Sequence, residues 1–265
     1  MSNRDRILYT DSMSKSIWDK AFFMDKIEGA DTVIDFGCAD GSMIRMLSTL
    51  FPKIDFIGYD SDPEMITLAR DKNRAKNTEF FGKDEIDQIT RTFSGNDGAH
   101  ICLNFSSVLH EVFSFTEQGG IDDIRFLVSA LKPKFITVRD MFYNNEEHHI
   151  MTDLYRRIFS WIEDNPYAKN FREVYMDEDS DWNWRSLTHF LMKYQWVNNG
   201  WEEEMKEDYY SWDLHDLRKA VGSGYSMIYE NHYQLPHLLE RWNREYGIFL
   251  PKIHTHAQFI LRKED

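Results

Sequence analysis

The chain has 265 residues, a formal net charge of −14 and a hydrophobic fraction of 42%, with aromatic residues making up 15% of the sequence. This apolar content excludes an intrinsically disordered chain, and no run of residues approaches the ~18 uninterrupted apolar positions that a membrane span needs. The two cysteines cannot build a disulfide framework and the first residues lack the apolar core of a secretory signal, so we expect a soluble, cytoplasmic protein. The acidic balance offers no basic excess for a phosphate backbone and makes nucleic acid an unfavourable partner.

Strand-like and helix-like runs alternate over the first 140 residues. Short apolar or β-branched runs predict strands at 32–36, 54–59, 78–81, 99–105 and 135–138. Apolar residues at helical spacing predict the helices between them, and Asp62 followed by Pro63 marks one helix start. Strands that alternate with helices are typical of a parallel sheet covered on both faces.

The alternation stops after residue 140 and resumes only with a helix near Leu238 and a final strand at 257–262. Seven of the eight tryptophans lie between Trp161 and Trp242. We therefore expect one domain over 1–265, with an N-terminal helical segment at 1–30 and a helical, aromatic-rich insertion at 145–222 that caps the substrate. The alternative is that the aromatic residues of the insertion simply form buried core.

The most informative segment is D-F-G-C-A-D-G at 35–41, between the first strand and the first helix. Gly37 and Gly41 permit a sharp turn or the close approach of a ligand, and the free N–H groups at a helix start favour a polar or anionic ligand. Asp60 ends the second strand, where an acid can accept hydrogen bonds from ribose hydroxyls. Ala39 and Ser42 replace two glycines of a dinucleotide loop, which favours a nucleoside cofactor. The alternative is a tight turn beside a solvated acid.

These residues resemble the class I S-adenosylmethionine-dependent methyltransferases. The segments D-F-G-C-A-D-G and F-I-G-Y-D are similar to motifs I and II of that family, with Ala39 in place of its middle glycine. N-F-S-S-V-L-H-E at 104–111 and L-K-P-K-F-I-T-V at 131–138 are similar to the regions after its fourth strand and around its fifth. Over roughly residues 30–140, the resemblance implies an α/β fold with a doubly wound, mostly parallel seven-stranded sheet (Rossmann-like). It also implies S-adenosyl-L-methionine as the cofactor.

The resemblance implies roles for individual residues. Asp35 would steady the loop or meet the cofactor's amino group, Asp60 and Ser61 would hold the ribose, and Met65 and Asp84 would lie near the adenine. The remaining loop residues, Gly37, Cys38, Ala39 and Gly41, would line the methionine moiety. Three residues at the end of the fourth strand, Asn104, Phe105 and Ser106, would line the pocket near the sulfonium.

Methyl transfer from a sulfonium is an in-line displacement, so the protein mainly aligns the reactants and excludes water, and a base is needed only when the acceptor must lose a proton. We expect His110, Arg139 and Asp140 to be catalytic, because they lie at strand ends that face the pocket. His110 can equally be an ordinary hydrogen-bonding histidine, and Arg139 and Asp140 can form an ion pair instead of orienting a substrate. Glu111 is better explained as a first-turn acid favoured by the helix dipole.

We expect no metal, because neither the histidine pair at 148–149 nor that at 254 and 256 has the spacing of a standard zinc site. The sequence thus predicts methyl transfer to an oxygen or nitrogen atom of a small molecule. Methylation of RNA or protein, and a cofactor-binding module without catalysis, remain alternatives. A nicotinamide oxidoreductase is opposed by Ala39 and Ser42. The oligomeric state stays open.

Overall fold

The computed structural model describes residues 16–93, 99–115, 120–143, 158, 160–177, 179–198, 200–247 and 253–264. Seven strands form a single sheet: β1 (Thr32–Phe36), β2 (Asp55–Tyr59), β3 (Thr78–Phe81), β4 (Ile101–Ser106), β5 (Phe135–Met141), β6 (Tyr225–Tyr233) and β7 (His256–Lys263). Their order is β3-β2-β1-β4-β5-β7-β6. The strands β1 to β5 pair in parallel, whereas β7 runs antiparallel to both β5 and β6.

Helices cover the sheet and form a separate group after β5. They are α1 (Ile17–Lys20), α2 (Ser42–Leu50), α3 (Pro63–Lys72), α4 (Ile86–Phe93), α5 (Leu109–Phe115), α6 (Ile121–Leu131), α7 (Pro166–Tyr175), α8 (Trp184–Tyr194), α9 (Trp201–Glu204), α10 (Leu214–Val221) and α11 (Pro236–Tyr246). The start of α3 is set by local sequence. The Asp62 side chain accepts a hydrogen bond from the Glu64 amide, and Pro63 lies in the first turn of the helix.

The doubly wound, mostly parallel seven-stranded sheet predicted from the sequence is confirmed. Two strands differ from the expectation. β5 continues to Met141, so Arg139 and Asp140 lie inside the strand and not after it; they pair with Gln258 and Ala257 of β7. β6 was not predicted, because this half-exposed edge strand carries polar residues on both faces and a register shift between Met227 and Tyr229.

The sheet separates two hydrophobic clusters, and the aromatic helices form a third. Leu103 and Phe105 contribute to one face of the sheet, and Val33 and Cys102 to the other. The helix α10, which falls within the expected insertion, packs through Leu217 and the neighbouring Ala220 and Val221 on the first of these faces. Parts of the expected N-terminal segment (1–15) and of the insertion (145–157 and 159), including the histidines at 148 and 149, lie outside the described residues.

The aromatic cluster centres on Phe190 and Phe171, both fully buried. The Phe190 ring lies 5.6 Å from the rings of Phe171 and Trp182 and 5.3 Å from that of Tyr194 (centroid distances). These tilted and edge-to-face contacts add specific ring interactions to the burial of apolar area. Among the described helices, none has both the length and the apolar composition that a membrane crossing requires.

We expect Phe190→Ala to lower the free energy of unfolding by about 3–5 kcal/mol, because it leaves a cavity among these rings. Urea unfolding followed by circular dichroism measures this change. Val174→Ala on α7 is the matched control: its side chain is 53% exposed, so its effect should stay within about 0.5 kcal/mol. Equal effects of the two substitutions would contradict the assignment of Phe190 to a packed core.

Candidate functional site

The loop after β1 is a left-handed turn tied to the end of β2. Gly37, Ala39 and Gly41 have φ values of 80°, 47° and 69°. The amides of Gly37 and Cys38 both donate to the Tyr59 carbonyl, at 2.8 and 2.9 Å. The Ala39 amide donates to Asp60 Oδ2 at 2.8 Å. Asp60, the acid that follows β2, therefore helps to hold the loop in this conformation and also lies beside the edge of the loop.

Both glycines of the loop are required by the protein's own packing. A Cβ on Gly37 would lie 2.6 Å from Cγ2 of Val108, and one on Gly41 would lie 2.7 Å from Nδ2 of Asn73. Neither distance leaves room for a methyl group. Positive φ and close approach together thus explain the glycines before any ligand is considered.

A small cavity of about 30 Å³ lies at the carboxyl ends of β1 and β4. The strand order reverses between these two strands, which is the place where open α/β sheets bind ligands. Its lining comes from α1, the loop and the end of β4: Ile17, Lys20, Asp35, Gly37, Cys38, Ala39, Asp40, Ser42, Met43 and Ser106.

The polar groups of the cavity differ in how well they are satisfied. Asp35 accepts a hydrogen bond from Asn104 Nδ2 at 2.7 Å, and the Asn104 carbonyl oxygen accepts one from the Thr137 hydroxyl at 2.7 Å. Burial raises the pKa of Asp35 to about 6, while the Asn104 hydrogen bond opposes the rise. The Ser106 hydroxyl is buried and makes no hydrogen bond in the structure. A buried polar group without a partner is a group that a ligand can satisfy.

The residues present fit a nucleoside cofactor whose polar end meets Ser106 and the loop. A ligand of that size needs on the order of 300 Å³ or more. The cavity is much smaller than this, and α1 lines it through Ile17 and Lys20. Burial, with the nearby Arg139 charge, lowers the pKa of the Lys20 ammonium to about 8.

Five of the predicted cofactor residues line this cavity: Asp35, Gly37, Cys38, Ala39 and Ser106. The other seven lie elsewhere. Asn104 supports Asp35, and Phe105 packs with Phe36 on the other face of the sheet. Met65 is buried in α3, and Gly41 packs against Asn73 and Phe80. Asp60 is partly buried, and Ser61 and Asp84 are exposed.

Asp140 is a fully buried carboxylate that organises the start of α5. Its Oδ2 accepts the amides of Leu109 and His110 at 2.7 and 3.2 Å, and its Oδ1 accepts the Met141 amide at 2.7 Å. Oδ1 also lies 2.7 Å from His110 Nδ1. Burial alone would raise the pKa of Asp140, but the His110 charge and these hydrogen bonds hold it below its usual value. An ionised Asp140 requires the proton on Nδ1 of His110, so Nε2 is the atom that faces away from it.

His110 Nε2 points at two glutamates. Glu111 Oε1 lies 4.0 Å and Glu207 Oε2 lies 3.7 Å from it. Burial would lower the pKa of His110, but Asp140 and the two glutamates raise it to about 9. Burial raises the pKa of Glu111 and of Glu207 to about 7. Sequence reasoning missed Glu207, since it lies far along the chain in an acidic stretch with no motif to distinguish it.

Arg139 is buried and its guanidinium is held by protein groups. Asp19 Oδ2 lies 2.6 Å from Nη2 and accepts from Nε at 2.7 Å, and Ser107 accepts from Nη1 at 2.6 Å. The Tyr233 hydroxyl also donates to Asp19 Oδ2, at 2.6 Å, and Gln258 donates to Oδ1 at 3.0 Å. Arg139 therefore forms an ion pair, which the sequence analysis gave as the alternative to orienting a substrate, and its guanidinium is buried. It fastens α1 to β5, β6 and β7 beside the cavity.

We expect Asp19→Ala to lower the free energy of local opening of α1 by about 3 kcal/mol, because Arg139 would keep a buried charge without its anion. Amide hydrogen exchange of residues 16–21, followed by mass spectrometry, measures this opening. Asp25→Ala is the control, since Asp25 is 78% exposed and pairs with the neighbouring Lys26. Unchanged exchange in Asp19→Ala would contradict the role of this ion pair as the fastening of α1.

Comparison with known proteins gives a match to a family and to a fold. Residues 33–120 match the family model described as a methyltransferase domain. A search of curated protein sequences gives no match.

Solved structures of similar fold include a SAM-dependent methyltransferase from Anabaena variabilis ATCC 29413, with a TM-score of 0.52 and 14% identity, covering 94% of this chain and 83% of that one. The plantazolicin methyltransferase BamL, solved with a triazolic desmethylPZN analog and SAH, gives a TM-score of 0.54 and 14% identity, covering 99% and 90%. One chain of the complex between the Haloferax volcanii Trm112 methyltransferase activator and a candidate methyltransferase gives a TM-score of 0.53 and 13% identity, covering 100% and 95%. At such identities the structural matches establish the fold.

Proposed function

We propose that this chain is a class I S-adenosylmethionine-dependent methyltransferase and that it transfers the methyl group of that cofactor to an oxygen or nitrogen atom of a small molecule. The match of residues 33–120 to a methyltransferase domain and the strand order of the sheet support this proposal. The observation that carries the proposal is the cavity at the reversal of strand order, where the buried Ser106 hydroxyl has no partner. Four residues further along, His110 is fixed by Asp140. Cofactor-binding and acceptor-facing groups thus follow one another at the end of β4.

When bound, S-adenosylmethionine supplies an electrophilic methyl group on its sulfonium. The chain's own residues bind and orient. The Ser106 hydroxyl meets the polar end of the cofactor, and Asp60 accepts hydrogen bonds from the ribose. His110, whose ring Asp140 holds in one orientation, contacts the acceptor. Alignment of this kind is the main protein contribution to a displacement at a methyl group.

A small-molecule acceptor is supported by charge. The surroundings of His110 are acidic, with Asp140, Glu111 and Glu207 all close to its ring. The whole chain carries a net charge of −14. Both features disfavour the approach of a phosphate-bearing polymer.

The experiment that tests the proposal is incubation of the protein with methyl-labelled S-adenosylmethionine and a cell extract, followed by separation of low-mass, RNA and protein fractions. We expect the label in the low-mass fraction, and none with a heat-inactivated sample. Label in a polymer fraction would overturn the proposed acceptor class. No label in any fraction, with cofactor binding measured by calorimetry, would contradict catalysis.

We expect Asp60→Ala to weaken cofactor binding by at least ~1.5 kcal/mol, about tenfold, because a partly buried carboxylate that bonds the ribose is lost. Isothermal titration calorimetry with S-adenosylhomocysteine measures the dissociation constant. Asp71→Ala, an exposed acid on α3, is the matched control and should bind as the wild type does. An unchanged dissociation constant in Asp60→Ala would rule out this placement of the ribose.

We expect His110→Gln to lower turnover by about 10²-fold through misplacement of the acceptor. The dissociation constant of the cofactor should change less than about twofold, because His110 lies outside the cavity lining. Steady-state kinetics and calorimetry on the same samples separate the two effects. His100→Gln, in which the replaced ring is 66% exposed, controls for loss of a histidine. An equal loss of cofactor affinity would contradict the assignment of His110 to the acceptor.

A further inference from the structure

The side chains around His110 Nε2 form a cluster that the cofactor does not use. Within the residues that the structure describes, His110, Glu111 and Glu207 are the group in which three potential metal-ligand atoms lie within 4.8 Å of one another. None of the three lines the cofactor cavity. The cluster joins two segments that are far apart in the sequence, because His110 and Glu111 belong to α5 and Glu207 follows α9.

His110 is already oriented as metal-binding histidines are. Such histidines commonly donate their second ring N–H to a carboxylate, which fixes the tautomer and aims the other nitrogen at the ion. Asp140 provides that carboxylate at 2.7 Å from Nδ1, and three backbone amides hold Asp140 itself. The His110 ring is only 5% exposed, and its Nε2 makes no hydrogen bond to any described residue.

The spacing suits a single ion after a small movement. Two ligands at about 2.1 Å from one ion lie roughly 3.4 Å apart at a tetrahedral angle. The separations from Nε2 are 3.7 Å to Glu207 and 4.0 Å to Glu111. The two glutamate side chains are 25% and 39% exposed, so they can move inward by a few tenths of an ångström and an ion can reach them from solvent.

Negatively charged groups also outnumber positively charged groups around the cluster. Three carboxylates, those of Asp140, Glu111 and Glu207, face one imidazole. Lys193, a buried cation beside the cluster, donates to the backbone carbonyls of Glu204 and Glu207 and lies over the Tyr209 ring, with its ammonium 3.8 Å from the ring centroid. Lys193 therefore neutralises only part of this charge.

We propose that His110, Glu111 and Glu207 bind one divalent cation of the Mn²⁺, Fe²⁺ or Zn²⁺ class, with Asp140 as the positioning residue of the histidine. One imidazole nitrogen and two carboxylate oxygens suit these ions, and a set of three protein ligands leaves coordination positions open. Resting on the proposed function, this narrows the acceptor to a molecule that presents a hydroxyl or carboxylate oxygen to the ion. This inference departs from the metal-free site expected from the sequence.

The test uses the full chain, treated with a chelator and then freed of it, with Mn²⁺ as the probe and no S-adenosylmethionine. Electron paramagnetic resonance of the free ion measures how much Mn²⁺ is bound, and we expect one ion per chain. Pulsed measurements on the bound ion should show coupling to an imidazole nitrogen that His110→Gln removes. Glu207→Gln should weaken binding by at least about tenfold, and Asp140→Asn by about 10- to 100-fold.

Glu203→Gln is the matched control, because Glu203 lies in the same acidic stretch, is exposed and pairs with Lys206. It should bind Mn²⁺ as the wild type does. Absence of bound Mn²⁺, absence of nitrogen coupling, or equal affinities in Glu207→Gln and Glu203→Gln would overturn the proposal. Circular dichroism of each variant identifies a loss of folding, and Glu111→Gln gives a second measurement if one variant unfolds. Binding is measured without methyl transfer, so its failure is distinct from failure of the proposed function.

Discussion

A single buried carboxylate, that of Asp140, connects β5 to the start of α5 and to the His110 ring. An ionised group without solvent is tolerated only when its oxygens are fully hydrogen-bonded. Here three backbone amides and one imidazole N–H supply those hydrogen bonds. Because two of the amides belong to the first residues of α5, the same carboxylate sets where this helix begins and how the His110 ring is turned. Removal of this charge would disturb the strand, the helix start and the histidine together.

A second series of hydrogen-bonded polar side chains, in the interior of the sheet, supports the wall of the cavity. Thr137 donates to Asn104, and Asn104 donates to Asp35, which places the Asp35 carboxylate at the cavity wall. A second set of buried polar contacts, between Arg139 and Asp19, holds α1 against the same wall. The cavity is therefore closed on one side by a short helix whose fastening is ionic, and ionic contacts of this kind can be exchanged for others when a ligand arrives. The strands β1, β4 and β5 supply one side of the site, and α1 supplies the other.

Much of the fold follows from local patterns in the sequence. The short apolar runs before Gly37 and Tyr59 indicate buried parallel strands, and the two strands do pair in parallel. Both faces of such strands are covered, so their sequences need not alternate between apolar and polar residues. The edge strand β6 could not be recognised, because its residues are half exposed and its register is interrupted next to Tyr229. The end of β5 was also placed too early. Charged residues such as Arg139 usually end a strand, but here Arg139 pairs with Asp19 and Asp140 pairs with His110.

The sequence by itself determined the class of fold, the position of the loop after β1 and the left-handed turn of that loop. These depend on residues close together in the chain, where glycine conformation, helix capping and strand patterning act over a few positions. Only the tertiary structure decided that Arg139 pairs with Asp19, that Phe105 faces away from the cavity and that Glu207 approaches His110. Each of these contacts joins segments far apart in sequence, or depends on which face of a strand a side chain occupies. Local sequence patterns do not show which distant segments come into contact or which face of the strand meets the cavity. Long-range packing and the burial of charge decide both only when the whole chain is folded.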